Sequence, residues 1–511
     1  KTSTLRLLAE STPRTGAYIA FNRAIVAEAG AKMPGNVTCS TAHGLAFRAV
    51  AGPYAHRMNG QRQKAAEVAK RLRIDPITVT TPFGSKRLSP GFLAGVVNRA
   101  ITGFCQSADT EVTEAHFPYL DGIDLPTPDG RRGWANNREV RRHLLPAARR
   151  AWADLADPAG KLRFGHDHYL KLWHLSGPRI AADFILFDEA QDANPVMLAI
   201  VNAQEHAQRV YVGDSQQAIY GFTGAVNALA NVDVTRRAFL TQSFRFGPTV
   251  AAEANRVLGL LDAELTLAGT PTIASVVGPV AEPDVILFRT NAKAVDTAFR
   301  LLDDGKAPHI VGGATEVIAF AKGALSLIED GWTSHPELAC FTTWADVLDY
   351  VENDQQGSEL RLLVGLVEKF GADTIIEKLG QQATEAAADV ILSTAHKAKG
   401  REWNTVRLAG DFPNGTAKDG TEKLPEAEEL RLIYVAVTRA RRELDLGSAV
   451  GALLDLHAPQ DGPQEAATAA SDLTGATAPQ ERHEAASCPS CGRTDVVRSS
   501  GIIGAHHCAG R

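Results

Sequence analysis

At 511 residues the chain exceeds what one ordinary hydrophobic core organises, so about three or four domains are expected. Its 44% hydrophobic and 22% charged residues are those of a folded globular protein, and no apolar run approaches the ~18 residues of a membrane span. A formal net charge of −6 excludes a protein coated in basic surface but leaves room for a local basic groove, because binding depends on where charge sits.

Cys39, Cys105 and Cys340 stand singly and three further cysteines crowd the C-terminal end. That is not the even framework of a secreted disulfide protein, and a reducing, cytoplasmic setting is expected.

The chain opens on Lys1-Thr2-Ser3-Thr4-Leu5-Arg6-Leu7-Leu8. Lys-Thr followed by an apolar helical pattern is how a phosphate-binding loop ends, with lysine on the β/γ phosphates and the hydroxyl on magnesium. Taken alone, the pair equally suits a solvated N-terminus, since the glycine-rich half of such a loop does not precede it. Ala17-Tyr18-Ile19-Ala20-Phe21 predicts a short buried strand, and Asn22-Arg23-Ala24 a helix start. The β-branched run from Val37 ends in Thr41-Ala42-His43, a Thr-x-His string. Strands alternating with helices imply a parallel sheet.

From about Gly52 to Lys171 that rhythm stops, and a helical insertion is expected. Its arginines, Arg138, Arg141, Arg142, Arg149 and Arg150, fit either a solvated helix face or contacts to a phosphate backbone, and Pro146 is expected to break or kink their helix.

Phe184-Ile185-Leu186-Phe187 then runs straight into Asp188-Glu189-Ala190-Gln191-Asp192. An apolar run bounded by charge suits a strand buried on both faces, with its carboxylates at the C-terminal end where open α/β sheets place ligands. Asp188 there can hold magnesium and Glu189 can polarise water for attack on a phosphate, although a solvated turn after a core strand has the same pattern. Arg209 to Gly213 forms another strand, leading into Asp214, Gln216, Gln217, Tyr220 and Phe222. Phe239 to Arg245 and Val285 to Asn291 are predicted strands as well. Residues 301 to 387 carry no motif. Val390 to Trp403 contains a second Thr-x-His, Thr394-Ala395-His396, and Glu429 to Arg441 is an apolar helix or strand ending in arginines.

Pro459 to Ser487 has little to bury and predicts a flexible linker. Beyond it, Cys488 and Cys491 in C-x-x-C spacing, with His506 and Cys508, form a candidate tetrahedral zinc set, the alternative being a disordered tail.

Five strings occur in one order: Asp-Glu-Ala-Gln-Asp, Gly-Asp-x-x-Gln-x-Ile-Tyr, Ser-Phe-Arg, Thr-x-His-x-x-Lys-Gly-x-Glu and Tyr-Val-Ala-x-Thr-Arg-Ala. In that order they resemble the UvrD/Rep-type superfamily 1A DNA helicases, nearest the F-box DNA helicase branch and phage or bacterial relatives. His166-Asp167-His168-Tyr169-Leu170-Lys171-Leu172-Trp173 resembles the same branch. The resemblance implies an α/β fold of two RecA-like parallel-sheet domains of the P-loop NTPase type. The first would carry a helical insertion, the second a reduced one, and a small zinc-ribbon-like tail would follow. The expected division is 1–51 with 172–238, insertion 52–171, then 239–300 with 388–455, insertion 301–387, linker 456–487 and zinc knuckle 488–511.

The implied activity is an ATP-dependent helicase or translocase moving 3′→5′ on single-stranded DNA in replication, repair or recombination, with ATP and magnesium. Its partners would be single-stranded DNA, single/double-strand junctions and replication or repair proteins. Carried over position by position, Lys1, Thr2 and Ser3 would meet the nucleotide's phosphates, with Lys1 on the β/γ phosphates and Thr2 and Asp188 on magnesium. Glu189 would be the catalytic base and Gln217 the γ-phosphate sensor, while Arg245 and Arg439 would neutralise transition-state charge. Phe244 would stack on adenine and Glu402 would bond the ribose. Phe21, Thr41, His43, Tyr220, Phe222, Thr394 and His396 would line the strand. Two other functions also fit the motifs: the motor part of a helicase-nuclease, or a non-catalytic nucleic-acid-binding relic. The interval between the second domain's halves is short for this family's large accessory domain, and no F-box is visible. The sequence is expected to be a piece of a longer protein that binds nucleotide poorly as it stands.

Overall fold

The computed structural model describes residues 1–458, apart from 21–22, 59–62, 82–83, 121–122, 126–132, 220–228, 230–231, 313, 334, 336, 339–340, 342, 354–357 and 418. Phe21, Tyr220, Phe222, the linker from 459 and the set Cys488, Cys491, His506 and Cys508 lie outside the described residues.

The first sheet is built from β1 (Gly16–Ala20), β2 (Val37–Thr41), β5 (Phe184–Phe187) and β6 (Gln208–Tyr211) in the order β2-β1-β5-β6, every pair parallel. Every residue of β1 and β5 is buried, as a parallel sheet covered on both faces requires. Side chains alternate between two cores at the strand period of two. Ala17, Ile19, Ile185 and Phe187 face one side; Tyr18, Ala20, Phe184 and Leu186 face the other, with Leu5 and Ala9 of the helix Thr2–Glu10. Gly16 is required by the register: a Cβ there would lie 2.3 Å from the Phe184 ring.

Between β2 and β5 the insertion is mostly helical, with the longest helices at Pro90–Gln106 and Ala135–Ala156. It also holds an antiparallel hairpin of β3 (Ile77–Thr81) and β4 (Gly84–Leu88), where only helix was expected. The helix Ala135–Ala156 runs on through Pro146 rather than breaking. Val140, Leu144, Ala147, Ala148, Ala151 and Leu155 are buried on both sides of the proline, and their burial outweighs an interior proline's penalty of about 3 kcal/mol. Its arginines are largely spent inside the insertion. Arg149 donates to the Val112 carbonyl, Arg150 to the Leu72 carbonyl, and Arg141 sits 4.8 Å from the Trp134 ring centroid.

The second sheet comprises β7 (Val276–Val277), β8 (Val285–Phe288), β9 (Pro308–Ile310), β10 (Val390–Thr394), β11 (Trp403–Leu408) and β12 (Ala440–Asp445), in the order β7-β12-β11-β8-β10-β9 and again parallel. Val285, Leu287, Val406 and Leu408 pack against the helices Pro248–Leu260, Ala427–Val437 and Gly447–Leu456. Phe288, Ile310, Val390 and Leu392 pack on the opposite side with the helices Asn291–Asp303 and Ala314–Asp330. Strand β9 lies within the interval read as an insertion, yet it pairs with β10 at the sheet edge, where its leading proline leaves no ladder bond missing.

One predicted strand is absent. Phe239 to Arg245 makes a single bridge, Gln242 to Ala268, and Phe239 and Leu240 are exposed, because no sheet neighbour flanks the segment. No helix among the described residues is long and apolar enough to cross a membrane.

Candidate functional site

Strand β5 delivers its carboxylates to the C-terminal edge of the first sheet. Asp188 is buried, and both of its oxygens are engaged: Oδ2 accepts from the Tyr18 hydroxyl at 2.6 Å and Oδ1 from the Glu189 N–H at 2.9 Å. Glu189 adopts φ +52°, the left-handed region that a side-chain-bearing residue enters only under local constraint. Its Oε1 accepts from Lys1 Nζ at 2.7 Å and its Oε2 from Gln191 Nε2 at 2.5 Å.

The charges of this cluster set one another. Burial and the neighbouring Glu189 raise the Asp188 carboxyl against the Tyr18 hydrogen bond and Lys1. Burial pushes Glu189 upward too, but Lys1, Lys399 and the Gln191 hydrogen bond hold it well below the usual carboxylate range. Burial likewise works against Lys1, and the carboxylates of Glu189, Asp188 and Asp214 outweigh it, so the ammonium stays charged.

Gln191 extends the cluster to the loop after β6, accepting from the Asp214 N–H at 2.9 Å. A Cβ at Gly213 would fall 2.2 Å from the Gln191 amide oxygen, so any other residue there would have to displace that side chain. Asp214 caps the turn Ser215–Gln217 and accepts from Gln217 Nε2 at 2.8 Å.

The second sheet contributes arginines. Arg439, just before β12, is 1% exposed and donates to the Val435 carbonyl, the Thr438 hydroxyl and the Arg401 carbonyl. Burial and the nearby Arg245 draw its guanidinium down to about 9, and among the described residues no carboxylate lies within ion-pair distance of it. Arg245 pairs with Glu402 at 2.5 Å and donates to the Thr438 carbonyl. Phe244 beside it is 82% exposed. Thr2 and Ser3 form the first turn of the helix capped by Lys1. Lys1 therefore bonds Glu189 on the first sheet, while Arg439 on the second is close enough for Glu189 and Arg245 both to act on its charge. This donor set, carboxylates for a hard cation and three cations for oxyanions, fits a magnesium polyphosphate.

The two Thr-x-His strings end β2 and β10 and are built alike. Ser40 donates to the Thr41 carbonyl and Ser393 to the Thr394 carbonyl; each threonine hydroxyl then caps the following helix, accepting from the N–H of Gly44 or Lys397. The histidines differ. His43 Nε2 lies 3.4 Å from Asp167 and edge-on to Tyr169, whereas burial and the Arg289 charge draw His396 down to about 4, leaving it neutral near pH 7. These strings sit on separate sheets.

Several residues at the site stand outside the assigned motif roles. Tyr18 reads as ordinary strand core, and no pattern marks its hydroxyl. Gln191, Asp192 and Lys399 lie within quoted strings, and their positions there were the available signal.

Two family descriptions match the chain: the UvrD/REP helicase N-terminal domain at residues 177–233 and the UvrD-like helicase C-terminal domain at residues 338–450. The chain is 28% identical over 501 residues to F-box DNA helicase protein 1 of Schizosaccharomyces pombe, covering 89% of this chain and 55% of that one. It is 30% identical over 497 residues to F-box DNA helicase 1 of Gallus gallus, covering 89% and 47%. With the ATP-dependent DNA helicase UvrD2 of Mycobacterium bovis it shares 25% over 338 residues, covering 52% and 47%. The chain spans about half the length of these relatives and resembles the N- and C-terminal domains of UvrD-like helicases over the residues matched.

Proposed function

We propose that this chain is the motor of an ATP-dependent DNA helicase, with two RecA-like domains built on its two sheets and divided as the motifs suggest. It would translocate 3′→5′ on single-stranded DNA, act at single/double-strand junctions and serve replication or repair. The observation that carries the reading is the meeting of the two sheets: the acidic turn after β5 is bonded from the other sheet by Lys399 at Asp192, Tyr434 reaches Asp214, and Glu189 acts on the charge of the carboxylate-free Arg439.

A bound magnesium ion, held by Asp188 with the Thr2 hydroxyl, would neutralise charge on the phosphate oxygens. The chain's own residues do the rest. Lys1 moves from Glu189 to a phosphate oxygen, and Glu189, relieved of that cation, becomes more basic and takes the proton of the attacking water. Arg245 and Arg439 supply positive charge where the transferred phosphoryl group becomes more negative, an effect worth roughly 10³ to 10⁵ in rate. Phe244, exposed beside Arg245, would offer an adenine a stacking face, and Gln217, bonded to Asp214, would relay a γ-phosphate contact to it. Thr41, His43, Thr394 and His396 would grip the strand, one Thr-x-His string on each sheet, so opening and closing between sheets moves one grip relative to the other.

The test is ATP hydrolysis with and without single-stranded DNA, together with unwinding of 3′-tailed and 5′-tailed duplexes. Glu189→Gln should abolish hydrolysis and keep nucleotide binding. In protein carrying a complete phosphate-binding loop, DNA binding with no DNA-stimulated hydrolysis would instead indicate a non-catalytic relic.

A further inference from the structure

Lys399 closes the second Thr-x-His string, directly after the short helix Ala395–Ala398 that Thr394 caps. Its ammonium does not stay on its own sheet. It donates to both oxygens of Asp192 at 2.7 Å and to the Gln217 carbonyl at 2.5 Å. The side chains of Lys399 and Asp192 are only 7% and 3% exposed. Asp192 in turn belongs to the turn that begins at Glu189, its N–H donating to the Glu189 carbonyl at 2.9 Å. One ammonium thus holds the turn bearing Glu189 and the turn bearing Gln217, from a segment three residues past His396. Tyr434 donating to Asp214 at 3.2 Å is a second contact between the same sheets, but a longer one without opposite charge.

A buried pair of this kind is conditional. Taking two charges out of water is repaid only while they face each other, and removing one partner strands the other. The contact is therefore available when the sheets are together and is exchanged for water when they part. Burial raises the Asp192 carboxyl to about 6 and lowers the Lys399 ammonium, as expected of groups that depend on one another to stay charged.

We propose that Lys399 and Asp192 form a cross-sheet clasp through which strand binding at Thr394 and His396 sets the geometry of the acidic turn. Lys399 acts as a positioning residue that touches neither nucleotide nor DNA. This rests on the helicase reading above and names the route by which DNA stimulates hydrolysis in it.

The test uses the full chain and four variants: Lys399→Met, Asp192→Asn, the double variant and Lys399→Arg. ATP hydrolysis is measured with and without oligo(dT), and amide hydrogen exchange is followed without nucleotide. Each neutral single variant should lose stimulation by a factor in the range of about 5 to 150, the span of ordinary coupling between sites. The double variant should lose less than the two singles combined, since no charge is stranded, and Lys399→Arg should keep most of the stimulation. In Lys399→Met, exchange should quicken in residues 188–193 and 214–218 on the opposite sheet, which a purely local role would leave unmoved. Full stimulation in both single variants, or faster exchange confined to residues 395–401, would overturn the clasp. Protein with a complete phosphate-binding loop but no DNA-stimulated hydrolysis would overturn the motor reading itself, and the clasp as its coupling route with it.

Discussion

Lys171 gives a sharp test of how the insertion is held. It sits fully buried in the helix His166–Leu175, and its ammonium donates to the carbonyls of Ser107 and Asp109 at 2.9 and 2.5 Å, 4.1 Å from the Phe104 ring centroid. Burial draws it from its ordinary 10.5 to about 8. Because the folded value is depressed, the unfolded chain binds more protons between about 8 and 10.5, and stability rises with pH across that window. Worked through the linkage relation, this one group adds about 1.4 kcal/mol between pH 7 and pH 9. Cys105, next to it, has the opposite sign: burial pushes its thiol above the ordinary 9, so its contribution falls as pH climbs past that value. The measurement is therefore the denaturant midpoint between pH 7 and pH 9, in wild type and in Lys171→Met, which keeps the apolar stem. Wild type should gain stability relative to the variant by about 1.4 kcal/mol over that range. Identical pH profiles would refute the argument that a charged Lys171 is buried at a cost.

Three further outcomes are expected. Arg439→Lys should lower DNA-stimulated hydrolysis by roughly 10³-fold or more, since an ammonium cannot reproduce the guanidinium's fork, and steady-state kinetics would read it. Gly213→Ala should force the Gln191 amide off Asp214 and destabilise the first sheet's edge by about 1–3 kcal/mol, seen as a lower melting temperature. If Cys488, Cys491, His506 and Cys508 bind zinc, elemental analysis of the full chain should find one ion, lost in Cys488→Ser; a metal-free wild type would remove the site.

Much of this architecture is written locally. Phe184 to Phe187 is a continuous apolar run because both of its faces are covered, and its alternate side chains do reach two different cores. Phe239 to Arg245 also opens on apolar residues but has no strand to pair with beyond one bridge, and residue pattern alone does not reveal a missing neighbour. The hairpin of β3 and β4 was hidden for the converse reason: its threonines and basic residues make a polar outer face, and among its described residues only Val79 and Leu88 are deeply buried. At the site, the chemistry of Asp188, Glu189, Arg245 and Arg439 was readable from their strings. The bonds that orient them were not, because Tyr18 reaches Asp188 across 170 residues and Lys399 reaches Asp192 across 207.

Those long-range bonds bear on how such a motor stays quiet until its substrate arrives. Three of the four cations around the acidic turn already have carboxylates: Lys1 with Glu189, Lys399 with Asp192, and Arg245 with Glu402. On the proposed reading, a triphosphate enters by exchange, drawing Lys1 from Glu189 and Arg245 from Glu402 and giving Arg439 an anion. The exchange keeps each cation paired but leaves Glu189 and Glu402 without their partners. It also makes the base depend on the substrate, because Glu189 is held acidic while Lys1 lies on it and regains basicity when Lys1 leaves. On that reading water activation would be tied to phosphate occupancy, and the same pairs that stabilise the acidic turn would keep Glu189 from acting before a phosphate is in place.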